Sequence, residues 1–221
     1  VVVEYSKKNS EETLINILKL FKNNDIKLEA VVNQYNISED KILEAIEYLK
    51  NNVDVDSICT LDEYAKMIRR CFPKQYLVRS FNNYNITYEQ LQSDNIYNEI
   101  VIGRRFLRDI KYINQVRNLG IDIKLLLNNG CSFNCATCRA GKEKCKEVFN
   151  KNIQKYSAEE LYALQSFWPY ELQILEQKID LDNIKEFKIS SRPCTYEYLD
   201  NCLNSYIYHN QKKEEKFLKE D

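Results

Sequence analysis

The chain repeats a short β-rich run followed by a longer run with helical period, and this repeat constrains its fold more than any other feature. After the run KLEAVVN, for example, Ser38 precedes a stretch with apolar residues at Ile42, Ile46 and Leu49, which is typical of a capped amphipathic helix. Eight such strand-helix units are predicted. Their strands are VVVEY (1–5), KLEAVVN (27–33), DSICTL (56–61), YLVRSF (76–81), EIVIG (99–103), IDIKLLL (121–127), YALQSF (162–167) and KEFKIS (185–190).

Eight alternating units predict an α/β fold, a small TIM-like (β/α)8 barrel. A single barrel domain is expected over residues 1–208, with a polar tail over 209–221. In such a barrel the loops after the strands share one face, and that face holds the site. If LYALQSFWPYELQIL is instead one helix interrupted by proline, the alternative is an open doubly wound sheet.

Composition removes several classes of function. The 32 Lys and Arg residues nearly cancel the 33 Asp and Glu residues, so no overall field attracts a polyanion. His209 is the only histidine and lies in the polar tail, which argues against a Ser-His-Asp triad, a Cys-His pair or a His-rich zinc site. No apolar run reaches the roughly 20 residues needed to cross a bilayer, and the stretch VVVEYSKKNSEET lacks the basic-then-apolar layout that is expected of a signal peptide. We expect a cytoplasmic protein that does not contact the membrane.

Four of the eight cysteines lie in one loop after the strand IDIKLLL. The spacing Cys131-x3-Cys135-x2-Cys138 can wrap three thiolates around one iron–sulfur cluster, with a fourth ligand from Cys145 or from Cys194 after the last strand. Cys194 is favoured, since it would join two strands at the barrel mouth. Zinc on four thiolates and unligated or disulfide-paired thiols are the alternatives. Metal is favoured because three free thiols so spaced are prone to oxidation.

The same spacing occurs in radical S-adenosylmethionine enzymes. In that superfamily, however, the cysteine loop follows the first barrel strand, whereas here it follows the sixth, and S-adenosylmethionine is not expected as a cofactor. The remaining cysteines, Cys59, Cys71 and Cys202, are predicted to be core thiols.

The order of segments along the chain, from the second predicted strand through IKLLLNNGCSFNC to EFKISSRPCTYEYL, resembles that of the collagenase-like U-type peptidase family. The family's late strand, FKIxGR, is followed by a helix with a Glu-Tyr-like pair. The matching residues here are Phe187, Lys188, Ile189, Arg192, Glu197 and Tyr198. The resemblance implies a barrel and, as in several members, a 4Fe-4S cluster on four cysteines that supports oxygen-independent hydroxylation of RNA bases or quinones.

Polar residues follow other predicted strands. Arg192 could bind a carboxylate or phosphate in bidentate fashion, and Asn33, Arg104 and Asn128 could line the same pocket. The leading prediction is an iron–sulfur barrel enzyme that modifies a larger substrate such as RNA, a peptide or a quinone. The alternatives are a radical S-adenosylmethionine-like enzyme and a non-catalytic barrel with structural zinc, which acts as a scaffold or as the partner of another subunit.

Overall fold

A computed structural model gives the fold. It describes residues 11–33, 36–81, 88–93, 96–102, 106–107, 109–127, 169–179, 184–189 and 195–208. The strands are β1 (Glu29–Val32), β2 (Ser57–Thr60), β3 (Tyr76–Arg79), β4 (Glu99–Ile102), β5 (Asp122–Leu126) and β6 (Ile184–Lys188). The helices are α1 (Glu11–Asn23), α2 (Glu39–Val53), α3 (Asp62–Cys71), α4 (Tyr88–Ser93), α5 (Ile110–Asn118), α6 (Pro169–Glu176) and α7 (Tyr196–Ile207).

The six strands form one sheet in chain order, from β1 to β6. Parallel pairing joins β1 to β2, β2 to β3, β3 to β4, and β5 to β6. Each β-strand coincides with a strand predicted from the sequence, so the alternation of strands and helices is confirmed over the described residues.

The predicted closed barrel of eight strands is wrong. Over the part of the chain that the structure describes, the sheet has six strands, and it begins at β1 and ends at β6. In a closed barrel every strand pairs on both sides, whereas β6 pairs only with β5 among the described residues, and its Phe187 side chain is 47% exposed. The periodicity of the sequence indicates where strands form, but it does not indicate whether the strands close into a barrel. The closed barrel was predicted wrongly for this reason. Two of the predicted strands, 1–5 and 162–167, and the predicted tail lie outside the described residues.

The chain divides into two compact units. The first comprises Val1–Ile86 and Ser93–Ile100, and the second comprises Thr87–Gln92 and Val101–Asp221. The predicted single domain over 1–208 stays a prediction.

In the first unit, apolar residues at helical spacing on α2 and α3 pack with the strands. Ile46, Ile58 and Ile68 are fully buried. Ser38 stands at the N-cap of α2, as predicted, but its side chain makes no capping hydrogen bond. Arg69 fixes the loops at the amino ends of the strands, because its guanidinium donates to Ile96 O at 2.6 Å and to Gln75 O at 2.7 Å.

In the second unit, side chains hold the helix starts in place. Asp109 accepts a hydrogen bond from Tyr112 N at 2.9 Å and so caps α5, while Thr195 accepts one from Tyr198 N at 3.2 Å and caps α7. Tyr198 is fully buried. Pro169 begins α6, as the sequence predicts, since proline is well tolerated in the first turn of a helix.

Candidate functional site

Polar side chains gather at the carboxyl ends of β2 and β3 in the first unit. Thr60 and Arg79 are register partners at these ends, and Ser80 N donates to Thr60 O at 2.8 Å. Thr60, Arg79 and Ser80 are all buried. Since functional groups in parallel α/β sheets collect at the carboxyl ends of the strands, these residues lie where a site is expected.

Arg79 and Asp62 form a bidentate ion pair at this edge. Arg79 Nε donates to Asp62 Oδ1 at 2.9 Å, and Nη2 donates to Oδ2 at 2.7 Å. The Arg79 side chain is 4% exposed, whereas that of Asp62 is 47% exposed. The pair therefore links the end of β3 to the start of α3, with the guanidinium inside and the carboxylate at the surface.

Tyr97 adds a third donor to the same carboxylate. Its hydroxyl donates to Asp62 Oδ1 at 2.6 Å, and its side chain is buried. Burial raises the pKa of the Tyr97 phenol far above its usual range, and the negative charge of Asp62 and the hydrogen bond to it raise it further, while Arg79 acts in the opposite direction. The phenol therefore remains a proton donor throughout the physiological pH range.

We refer to Asp62, Arg79 and Tyr97 as the Asp62 cluster. The hydrogen bonds from Arg79 and Tyr97 fix the position of its carboxylate, and because the Asp62 side chain is half-exposed, a ligand could donate a further hydrogen bond to it. The cluster also pins a strand to a helix. Sequence reasoning missed it, although an arginine at the end of the otherwise apolar strand YLVR was a usable signal.

The second unit brings together the two chain segments that lead to the predicted ligands. Leu127, directly before the segment with the cysteine loop, donates from its backbone N to Lys188 O at 2.9 Å. Leu126 and Lys188 are register partners in the parallel pair of β5 and β6. The Tyr206 hydroxyl, from α7, donates to Leu127 O at 3.2 Å, so the position of Leu127 is fixed by a second hydrogen bond.

A second buried cation lies on β5. Lys124 is 5% exposed, and its Nζ lies 2.8 Å from Glu186 Oε2 on the neighbouring β6. Lys124 and Glu186 are register partners, so the ion pair follows directly from the strand pairing. Burial of a lysine on a strand requires such a partner, because an unpaired ammonium is costly to remove from water.

Most of the predicted site residues lie outside the described residues. Asn33 is described and lies half-buried directly after β1, at the carboxyl end of that strand. The others are Arg104, Asn128, Cys131, Cys135, Cys138, Cys145, Arg192 and Cys194. No group of three or more His, Cys, Asp or Glu side chains within the described part of the chain is placed to hold a metal ion.

The three predicted core thiols have different environments. Cys59 on β2 and Cys202 on α7 are buried, as predicted. Cys71 is exposed, so the prediction is wrong there. It is the last residue of α3, where the helix leaves the core.

The chain has a parallel α/β fold. Its similarity to a solved structure is consistent with the family resemblance found in the sequence. The structure of the U32 peptidase Mk0906 aligns with a TM-score of 0.55 at 12% identity, over 86% of this chain and 79% of that one. The likeness concerns the fold. No protein-family model matches the chain, and no curated protein matches it in sequence. Over the described residues, no helix combines the length and apolar character needed to cross a membrane.

Proposed function

We propose that the chain is an iron–sulfur protein whose cluster is bound beyond the carboxyl ends of β5 and β6, by Cys131, Cys135, Cys138 and a fourth thiolate. One observation carries this proposal. The hydrogen bond between Leu127 N and Lys188 O shows that the segments leading to the cysteine loop and to Cys194 leave neighbouring parallel strands at the same end.

Chain length is compatible with a shared ligand set. Cys131 follows Leu127 by four residues, and Cys194 follows Lys188 by six. At up to about 3.5 Å per residue these segments can reach about 14 Å and 21 Å, while neighbouring strands lie only about 5 Å apart. The eight-strand prediction placed one further strand, 162–167, between the strand that precedes the cysteine loop and the strand that precedes Cys194. Direct pairing of β5 with β6 brings their starting points closer together and favours Cys194 over Cys145.

The base of the proposed site is well fixed. Leu127 is buried. Its N–H donates a hydrogen bond to Lys188 O of β6, and its carbonyl accepts a hydrogen bond from the Tyr206 hydroxyl. Fixed backbone on both strands lowers the entropy lost when thiolates gather around a metal. Soft thiolates select iron–sulfur clusters or zinc over hard cations.

The reaction that we propose is redox modification of a larger substrate, such as RNA, a peptide or a quinone. A cluster supplies electron transfer when bound. Arg192 follows β6 by four residues and would offer a guanidinium to a phosphate or carboxylate of the substrate. The U32 peptidase fold supports the proposal that the chain is an enzyme. Structural zinc in a binding protein is the competing function, and it shares the same ligands.

Metal analysis of anaerobically purified protein tests the proposal. We expect iron and acid-labile sulfide together with visible absorption, and we expect Cys131→Ser, Cys135→Ser and Cys138→Ser each to lose most of the iron. Cys71→Ser is the matched control, because Cys71 is an exposed thiol outside the proposed ligand set and its replacement should leave both iron and stability unchanged.

The remaining measurements identify the fourth ligand and distinguish the iron–sulfur enzyme from the zinc-bearing binding protein. If Cys194 is the fourth ligand, Cys194→Ser loses iron and Cys145→Ser retains it. Stoichiometric zinc without iron would overturn the redox enzyme in favour of a zinc-bearing binding protein. Full metal content in all five cysteine variants of the site would show that these residues bind none.

A further inference from the structure

A concavity of about 280 Å³ lies in the first unit where α3 ends and β3 begins, next to the amino ends of the strands. It is therefore at the opposite end of β3 from the Asp62 cluster. Its lining consists of Lys50, Cys71, Phe72, Pro73, Lys74 and Gln75, and we call it the Lys50 pocket. Two ammonium groups, a thiol and two apolar rings thus share one small surface.

The residues that the structure describes in the lining of the Lys50 pocket include two lysines and no carboxylate, so the pocket carries positive charge. Lys50 Nζ lies 3.0 Å from Gln75 Oε1 and 4.7 Å from the centroid of the Phe72 ring, and both groups are uncharged. Lys74 brings a second ammonium and is exposed. Among the described residues, neither lysine has a carboxylate within ion-pair distance.

Hydrogen bonds fix the position of the Lys50 ammonium. Gln75 Nε2 donates to Val55 O and to Asp56 O, each at 3.0 Å, so its Oε1 is left to accept from Lys50. Gln75 N also donates to Phe72 O at 3.1 Å, which closes a turn around Pro73. The ammonium is therefore oriented before any ligand arrives, which reduces the entropy lost on binding.

We propose that the Lys50 pocket binds a small organic anion, a carboxylate or phosphate joined to a flat apolar body. The anionic group would lie between Lys50 and Lys74, and the apolar body would lie against Phe72 and Pro73. Pockets of this kind are mostly apolar with a few oriented polar groups. This binding function concerns a different set of residues from the proposed metal site, since none of the described residues that line the pocket is a proposed metal ligand.

Cys71 provides a built-in probe of the pocket. We would compare its reaction with the anionic aromatic disulfide 5,5′-dithiobis(2-nitrobenzoate) and with the neutral 2,2′-dithiodipyridine, quantified on the Cys71 peptide by mass spectrometry. In each case the Cys71 thiolate attacks one sulfur, the reagent S–S bond breaks, a mixed disulfide forms and the other half leaves as a thiolate. The thiol proton goes to solvent.

The readout is the rate of Cys71 modification by the anionic reagent divided by its rate with the neutral reagent. Differences in thiol exposure between variants affect both rates and therefore cancel in this ratio. A synthetic peptide of residues 68–75 supplies the reference ratio, since it carries the neighbouring basic residues but lacks Lys50. We expect the rate ratio of the protein to exceed that of the peptide. We expect Lys50→Gln and Lys74→Gln each to lower the protein's ratio about two- to fivefold. Lys41→Gln, an exposed lysine of α2 outside the pocket, is the matched control and should not change it.

Two further measurements sharpen the test. Unreactive 4-nitrobenzoate should protect Cys71 against the neutral reagent in the wild type and not in Lys50→Gln. Raising the ionic strength from about 0.01 M to about 1 M, which shortens the Debye length from about 30 Å to about 3 Å, should lower the anionic preference. The proposal is overturned if the protein's ratio does not exceed that of the peptide, or if Lys50→Gln leaves the ratio unchanged. Because iron content is measured separately, its loss or retention does not affect this outcome.

Discussion

Arg79 and Lys124 are both buried cations at strand positions, and each meets a carboxylate that is 47% exposed, but the two pairs are built differently. Arg79 forms two parallel hydrogen bonds with Asp62, which also accepts the Tyr97 phenol. Lys124 meets Glu186 through a single compact ammonium on a flexible stem. A planar guanidinium fixes its partner's orientation, whereas an ammonium acts as a point charge. We infer that the Asp62 cluster is the more rigid of the two and costs more to break.

The largest expected effect is that of Asp62→Asn. The substitution removes the negative charge of Asp62 from the buried Arg79 guanidinium, so we expect the free energy of unfolding to fall by about 3 kcal/mol, measured by urea titration. Glu47→Gln, at an exposed position of α2, is the control and should change it by less than about 0.5 kcal/mol. Adding Arg79→Met to Asp62→Asn should recover part of the loss. A loss below about 1 kcal/mol in the single variant would contradict the difference between the two pairs.

A smaller loss is expected from Glu186→Gln. Lys124 keeps its charge but can move its flexible stem toward water, so we expect a loss of about 1 to 2 kcal/mol by the same titration. Glu176→Gln, an exposed acid on α6, supplies the baseline. If Glu186→Gln destabilises the protein as much as Asp62→Asn does, the geometry of the cation is not what separates the pairs.

The smallest effect belongs to Tyr97→Phe, and it depends on pH. At neutral pH the lost hydrogen bond should cost about 1 kcal/mol. The pKa of Tyr97 is raised in the folded protein, so its contribution is fully present below about pH 10 and decreases as the pH rises above that value, where the unfolded chain loses the phenolic proton. The wild type's advantage over Tyr97→Phe should therefore shrink above about pH 10 in unfolding titrations. An advantage that stays constant or grows there would contradict the raised pKa.

Much of the fold followed from local pattern, and part of it did not. All six described strands lie where the sequence predicted them, because apolar runs bounded by helical periodicity are local features. Closure of the sheet was predicted wrongly, because the number of strands in a sheet depends on pairing between distant residues. The adjacency of β5 and β6 is such a pairing: Leu126 and Lys188 are register partners 62 residues apart.

The candidate sites divide in the same way. The sequence alone indicated the cysteine loop through its spacing, and it indicated that Cys59 and Cys202 are buried because they fall within a strand and on a helix with a buried face. It could not place Cys71, since the last residue of a helix leaves the core at an angle that tertiary packing sets. The sequence determined which of the described segments become strands and helices, because this depends on neighbouring residues. Only the tertiary structure decided that Tyr97 donates to a carboxylate 35 residues earlier in the chain and that Lys50 meets Gln75, because side-chain contacts between distant segments form only when the sheet and its helices pack together.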